Sequence, residues 1–319
     1  MKAYNKYFLG KIVDKIEDLK YLPPLDFAKK QKKKIQICAC PLCNKLEYVV
    51  VGKFKINLLI HFWVNKYGFN PISDIYKNET LEKRYCENCG LYFYNYHISD
   101  NEEMYNELSL NSNYYPRFRD EYGMATEIIE ETRPKSLFEI GCGNGEFLER
   151  IKNIVPKTIG SEYNPDARNF CEKKGLKIYS EDISKIKEKF DVVCHFEVLE
   201  HAWDTNKLMK NSINLLKKGG KLMIGTPDPE GIGAYINKYQ LNLPPHHQFD
   251  FSKKTFDYLA EHYSLKITHY QKRELSYRHY ASFVKEITGK ELSQPDMAGF
   301  FEAQKRFTGA SHFVVFEKM

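Results

Sequence analysis

Residues Ser136 to Ile151 read SLFEIGCGNGEFLERI. An apolar run breaks off at three closely spaced glycines, Gly141, Gly143 and Gly145, and Phe147, Leu148, Ile151 and Ile154 then recur at helical spacing. A strand that feeds a glycine turn and then a helix opens a βαβ unit. Glycine allows the tight turn and lets a ligand approach the backbone with no Cβ in the way. The stretch therefore predicts a ligand over the carboxyl end of this strand, at the switch point of an open parallel sheet.

Working outward, the chain continues the alternation. Strands are predicted at KTIGSE (157–162), LKIYSE (176–181), FDVVCHF (190–196) and KLMIGT (221–226), with helices from Glu146, from Pro165 and around Asn206–Leu216. This spacing implies a parallel sheet with right-handed crossovers. A helix over 254–263, a strand at SLKITHY (264–270), a mainly helical stretch over 274–308 and a last strand at SHFVVFEKM (311–319) follow. Upstream, Glu102 to Glu131 reads as helical and rich in tyrosine.

The glycine spacing selects the ligand. Dinucleotide sites use GxGxxG, with pyrophosphate at the helix N-terminus; this loop is GxGxG, and Glu139 stands two residues before it. A carboxylate there repels pyrophosphate and attracts a cationic amino-acid group. S-adenosylmethionine (SAM) has an ammonium, a sulfonium and no phosphate. Glu162 closes the next strand, where a carboxylate accepts hydrogen bonds from ribose hydroxyls. Asp182, in SEDI, closes the third and can reach an adenine amino group, with Ile183 against the ring.

In these motifs, in FDVVCHFEVLEH (190–201) and in LLKKGGKLMIGTP (215–227), residues 125–270 resemble the class I SAM-dependent methyltransferases. The resemblance implies an α/β, Rossmann-like sheet of seven strands, mostly parallel, with the final strand inserted antiparallel. It implies that Glu139, Gly141, Gly143 and Asn144 hold the methionine end of SAM, Glu162 the ribose, and Asp182 and Ile183 the adenine. His195 and Phe196 would lie beside the cofactor, and Cys142, Gly145 and Tyr163 complete the expected set.

Five of the eight cysteines crowd the first third of the chain. CPLC (40–43) and CENC (86–89) have the CxxC…CxxC form of a four-thiolate zinc site, with Gly90 after the second pair as in zinc knuckles. Cys40, Cys43, Cys86 and Cys89 are the expected ligands of a structural zinc, with an insertion over about 53–80. The alternatives are reduced core thiols, a redox dithiol, or Cys38 in place of Cys40. A zinc ribbon, a Tyr-rich helix and then the glycine loop resemble bacterial methyltransferases with an N-terminal zinc ribbon, among them sugar methyltransferases. The expected organisation is a helical, basic arm (1–35), a zinc module (36–98) and a SAM-dependent methyltransferase domain (99–319), with a helical insertion at about 274–308.

Methyl transfer needs donor and acceptor aligned, water excluded and a hydroxyl acceptor deprotonated. His201 in VLEH and His247 in LPPHHQF, with His246 beside it, are the candidate bases. Glu197 and Glu200 can orient a histidine or bind acceptor hydroxyls, and Tyr114, Tyr115 and Arg119 fall where a lid would lie. The alternative for His201 is a structural cap of its loop.

Across its 319 residues the chain is 42% hydrophobic and 28% charged, as in ordinary globular proteins. Neither a membrane span nor a secretory signal is legible, so the cytoplasm is the expected location. The net charge of +6 is concentrated partly in Lys29, Lys30, Lys32, Lys33 and Lys34. One short lysine cluster without interleaved aromatics argues against a nucleic-acid partner. The reading is O-methylation of a small molecule, a sugar or other intermediate of surface-glycan or secondary metabolism. The alternatives are an RNA methyltransferase and a non-catalytic SAM-binding scaffold that recruits a partner through its zinc ribbon.

Overall fold

The computed structural model describes residues 25–26, 33–100, 102–110, 114, 117–235 and 241–319. The helix expected near the N-terminus, most of the lysine cluster and Tyr115 lie outside them.

The central sheet has seven strands: β1 (Ser136–Ile140), β2 (Lys157–Ser161), β3 (Ile178–Tyr179), β4 (Phe190–Phe196), β5 (Leu216–Pro227), β6 (Leu265–Lys272) and β7 (Ser311–Lys318). Their order is β3-β2-β1-β4-β5-β7-β6, and β7 runs antiparallel to both neighbours. This is the mostly parallel, Rossmann-like sheet with an inverted strand that the sequence implied. β1 is buried at every position, as a central strand covered on both faces must be. Its side chains alternate between two cores. Leu137 joins Tyr122, Ala125 and Ile129 of helix Asp120–Thr132 and Phe147, Leu148 and Ile151 of helix Glu146–Ile151. Phe138 and Ile140 join the opposite cluster, with Met209 of helix Thr205–Asn214 and Phe256 and Leu259 of helix Lys253–His262.

Helix boundaries follow their caps. Asn164 accepts from the amides of Asp166 and Ala167, with Pro165 at the first helical position. Ser252 and Thr255 form a reciprocal capping box that starts helix Lys253–His262. Two expectations change. The stretch from Glu102 to Glu131 is two helices, Glu102–Ser109 and Asp120–Thr132. Asn111, Ser112, Asn113 and Pro116 intervene, all poor or forbidden in a helix interior. The strand expected at 176–181 pairs only over Ile178–Tyr179, at the sheet edge.

A second sheet has the order Phe249–Phe251, Leu91–Tyr94, Thr80–Cys86, Tyr48–Lys55. The insertion between its last two strands holds helix Ile56–Tyr67, stopped by Gly68 in the left-handed region. Trp63, Phe69, Tyr76 and Leu81 give this part a core of its own. The sheet takes its first strand from far along the chain: Phe249 opposes Phe93, and Lys83 forms an ion pair with Asp250 at 2.8 Å. Ile37, Cys40, Leu42, Cys86, Cys89, Leu91 and Phe93 share one buried cluster with Phe138, Val193 and Leu222 of the central sheet. The cysteine-bearing sheet is thus packed on one face of the seven-stranded one. Helices Tyr277–Thr288 and Met297–Gln304 lie between β6 and β7 and enclose a small cluster around Leu275, Tyr280 and Phe300.

Candidate active site and cysteine cluster

The glycine loop turns at the carboxyl end of β1, with Gly141, Gly143 and Gly145 all at positive φ, where a residue with a Cβ is strained. A Cβ on Gly141 would meet Val198 Cγ2 at 2.7 Å, and one on Gly145 would meet Leu176 Cδ1 at 2.4 Å. These two glycines therefore serve protein packing as well as the turn. Because Val198 is pressed onto Gly141, the segment after β4 lies directly against the loop.

Glu139 is 2% exposed, and its Oε2 has no hydrogen-bond partner among the described residues. Burial pushes its carboxyl well above the usual range. An isolated buried carboxylate is costly, and a cationic ligand relieves that cost. Glu162 braces the loop, accepting from the amides of Gly143 and Asn164, each at 2.8 Å. Asp182 accepts from the Ser184 amide at 2.9 Å, a bond that lowers its pKa, and caps the short turn containing Ile183, which is buried. Cys142 is buried and donates its amide to Ser161 O at 3.0 Å. Lys174 reaches the Asn144 carbonyl at 3.3 Å, and Tyr163 is an exposed side chain. His195 is fully buried, with neither ring nitrogen partnered among the described residues, and burial lowers its pKa to about 3. Phe196 packs against Phe147 and Tyr122, with centroids 4.9 and 5.2 Å away. Glu139, the glycine loop and Glu162 are thus brought to adjoining strand ends, the arrangement expected for a phosphate-free, cationic nucleoside.

The segment after β4 carries the remaining polar groups. Glu197, at φ 55°, lies 3.6 Å from Arg119, and burial raises its pKa to about 7 against the opposing pull of Arg119. Glu200 is 1% exposed, with neither carboxylate oxygen hydrogen-bonded among the described residues. His201, His246 and His247 converge here: one ring nitrogen from each lies within 4.8 Å of the others. His201 Nδ1 is 2.7 Å from His246 O and His246 Nδ1 is 2.9 Å from Leu241 O. A carbonyl only accepts, so both Nδ1 atoms carry protons and both Nε2 atoms present lone pairs. Tyr114 donates to His246 Nε2 at 2.9 Å. His247 Nε2 is 3.9 Å from Glu200, and its Nδ1 has no partner among the described residues. Burial pushes all three imidazoles toward the neutral form. Sequence reasoning missed Tyr105, whose hydroxyl donates to Asp100 at 2.7 Å and lies 3.4 Å from His201; a Tyr-rich helix alone does not mark it.

The four predicted cysteines meet. Cys40 Sγ is 3.5 Å from Cys89 Sγ and Cys43 Sγ is 3.5 Å from Cys86 Sγ, and all four lie within 4.8 Å of one another. In a tetrahedral site with Zn–S bonds of about 2.3 Å, sulfurs stand about 3.8 Å apart, so the cluster fits a zinc ion. Two tight turns present the thiols, helped by left-handed Asn44 and Gly90. Cys38 is exposed and outside the group, whereas Cys40 is buried within it.

The sheet order and the glycine loop at the end of β1 are those of an α/β, Rossmann-like methyltransferase fold. Residues 113–270 match a family model described as a methyltransferase domain. Among curated proteins, the chain is 35% identical over 98 residues to a ubiquinone biosynthesis O-methyltransferase of Pelagibacter ubique, covering 28% of this chain and 41% of that protein. It is 32% identical over 133 residues to the enzyme of the same name from Coxiella burnetii, covering 37% and 56%. The matches thus span about half the length of these relatives. Among solved structures, a SAM-dependent methyltransferase from Archaeoglobus fulgidus aligns with 18% identity and a TM-score of 0.46, covering 68% of this chain and all of that one. The N-methyltransferase NodS from Bradyrhizobium japonicum, in complex with S-adenosylhomocysteine, aligns with 15% identity and a TM-score of 0.45, covering 68% and 97%. Among the described residues no helix is long and apolar enough to cross a membrane.

Proposed function

We propose that the chain is a SAM-dependent methyltransferase that O-methylates a small molecule, a sugar or other intermediate of surface-glycan or secondary metabolism. The observation that carries the SAM assignment is Glu139, a buried carboxylate without a partner among the described residues, set directly before the glycine loop. Its role is to pair with the methionine ammonium, while Glu162 meets the ribose and Asp182 and Ile183 the adenine. The relatives named O-methyltransferases support a small-molecule hydroxyl acceptor. The methyl group passes in line from sulfur to the acceptor oxygen, S-adenosylhomocysteine leaves, and the acceptor proton must be taken up. His201 and His247 are the candidate bases: His247 is buried and His201 half-buried, desolvation favours the neutral imidazole in both, and each has a ring nitrogen without a proton.

The cysteine cluster, in this reading, holds a structural zinc. Four thiolates close its coordination shell, so the ion folds the module and leaves the chemistry to the other sheet. The unit spanning 36–98 is proposed as the zinc module and 99–319 as the methyltransferase domain, the two fused through a common core.

The test is S-adenosylhomocysteine release from SAM in the presence of pooled sugar nucleotides, phenols and transfer RNA. Turnover with a small hydroxyl compound supports the reading. Turnover confined to RNA, or tight SAM binding with no turnover in any pool, overturns it.

A further inference from the structure

The geometry around His201 points to a second metal centre, distinct from the four-cysteine cluster. We propose that His201, His246, His247 and Glu200 hold a divalent first-row cation of the zinc type. Metal-ligating histidines characteristically donate their other ring N–H to a carbonyl or carboxylate, which fixes the tautomer and aims the lone pair. Two of these three do so, His201 to the carbonyl of His246 and His246 to that of Leu241. One ring nitrogen of each histidine lies within 4.8 Å of the others, close enough for side-chain rotations to bring the three rings onto a common ion with bonds of about 2.0–2.1 Å.

Glu200 supplies the second, independent observation. Its carboxyl group is 1% exposed and unbonded among the described residues, and its nearer oxygen lies 3.9 Å from His247 Nε2. Leaving a carboxyl unsatisfied in the interior is costly, whereas coordination satisfies it. The contact that competes is the Tyr114 hydroxyl, which donates to His246 Nε2 at 2.9 Å; a cation would take that lone pair in its place. Three imidazoles and one carboxylate suit zinc, iron or cobalt, whereas magnesium and calcium prefer oxygen donors.

What the ion does rests on the methyltransferase reading above; that it binds does not. Val198 packs on Gly141, so the centre stands beside the loop assigned to the methyl donor. There a cation can accept the acceptor's hydroxyl oxygen as a further ligand and lower its pKa; with the ion bound, the histidines act as its ligands and not as the bases, and the acceptor proton passes to solvent. That favours an alcohol or phenol with a neighbouring oxygen to chelate, such as a vicinal diol.

The experiment is cobalt loading of the purified full chain, read by metal content and optical spectrum. The expected result is two equivalents per chain: one with intense thiolate-to-cobalt charge-transfer bands from the cysteines, one with ligand-field bands alone. His247→Ala and, as a near-isosteric control against misfolding, Glu200→Gln should each lose the second equivalent and keep the first. Calorimetry with S-adenosylhomocysteine on the same samples separates the two readings: absent heat sinks the methyltransferase assignment and leaves the metal count standing. Thiolate-type cobalt alone in the wild type, or two equivalents retained in both variants, overturns the proposal.

Discussion

The cysteine cluster and the histidine cluster are assembled in opposite ways. Each pair of thiols sits on a single tight turn, Cys40 with Cys43 and Cys86 with Cys89, so half of that site is local and its spacing can be read directly. The histidines come from a short turn after β4 and from the segment following Pro244 and Pro245. Only tertiary contacts join them: His201 to the His246 carbonyl, and the Gln248 amide to the Glu200 carbonyl at 2.8 Å. A locally built cluster makes a fold; a cluster joined across the chain makes a pocket whose contents depend on that fold.

This contrast sets the sizes of the expected effects. Cys86→Ser should be the most damaging substitution. A structural zinc is worth roughly 10–16 kcal/mol, and Cys86 and Cys89 share a buried cluster with Phe138 and Val193 of the central sheet. Thermal unfolding should therefore show both sheets failing together, at a much lower temperature; an unchanged transition of the central sheet would break the common core into two. His247→Ala should leave the fold and SAM affinity intact while lowering turnover by a factor on the order of 10²–10⁴. Turnover equal to wild type would remove this residue from the chemistry.

Glu139→Gln sharpens the contrast at the cofactor end. Losing a charge-assisted bond of about 1.5–3 kcal/mol should weaken SAM and S-adenosylhomocysteine binding by roughly 10–100-fold. The pH dependence has a definite sign. Burial raises the Glu139 pKa in the free protein, and an ammonium partner lowers it, so below the raised pKa binding expels a proton and affinity climbs as pH rises. Calorimetry in buffers of different ionisation enthalpy should register that release in the wild type and not in Glu139→Gln. Gly145→Ala should have the smallest effect, roughly 1–3 kcal/mol of stability by urea unfolding, because φ is +74° and the new Cβ meets Leu176.

How much the sequence disclosed follows the same division. β1, its glycine loop and the helix after it were legible because pattern, turn and ligand chemistry are encoded within sixteen neighbouring residues. The four cysteines that meet in the cluster were legible because each pair is encoded within one CxxC turn. The strand Phe249–Phe251 could not be assigned to the cysteine-bearing sheet, since its partner Leu91–Tyr94 is remote in sequence. Glu200 with His201, and His247 with its neighbour His246, were singled out as two separate segments; only their meeting is a product of folding.

The most direct test of the account is titration calorimetry of the wild-type chain against SAM, S-adenosylhomocysteine and NAD. A buried acid at the end of β1, facing a phosphate-free cationic nucleoside, predicts saturable heat with the first two and none with NAD. Saturable binding of NAD, with no heat from either sulfur compound, would contradict it.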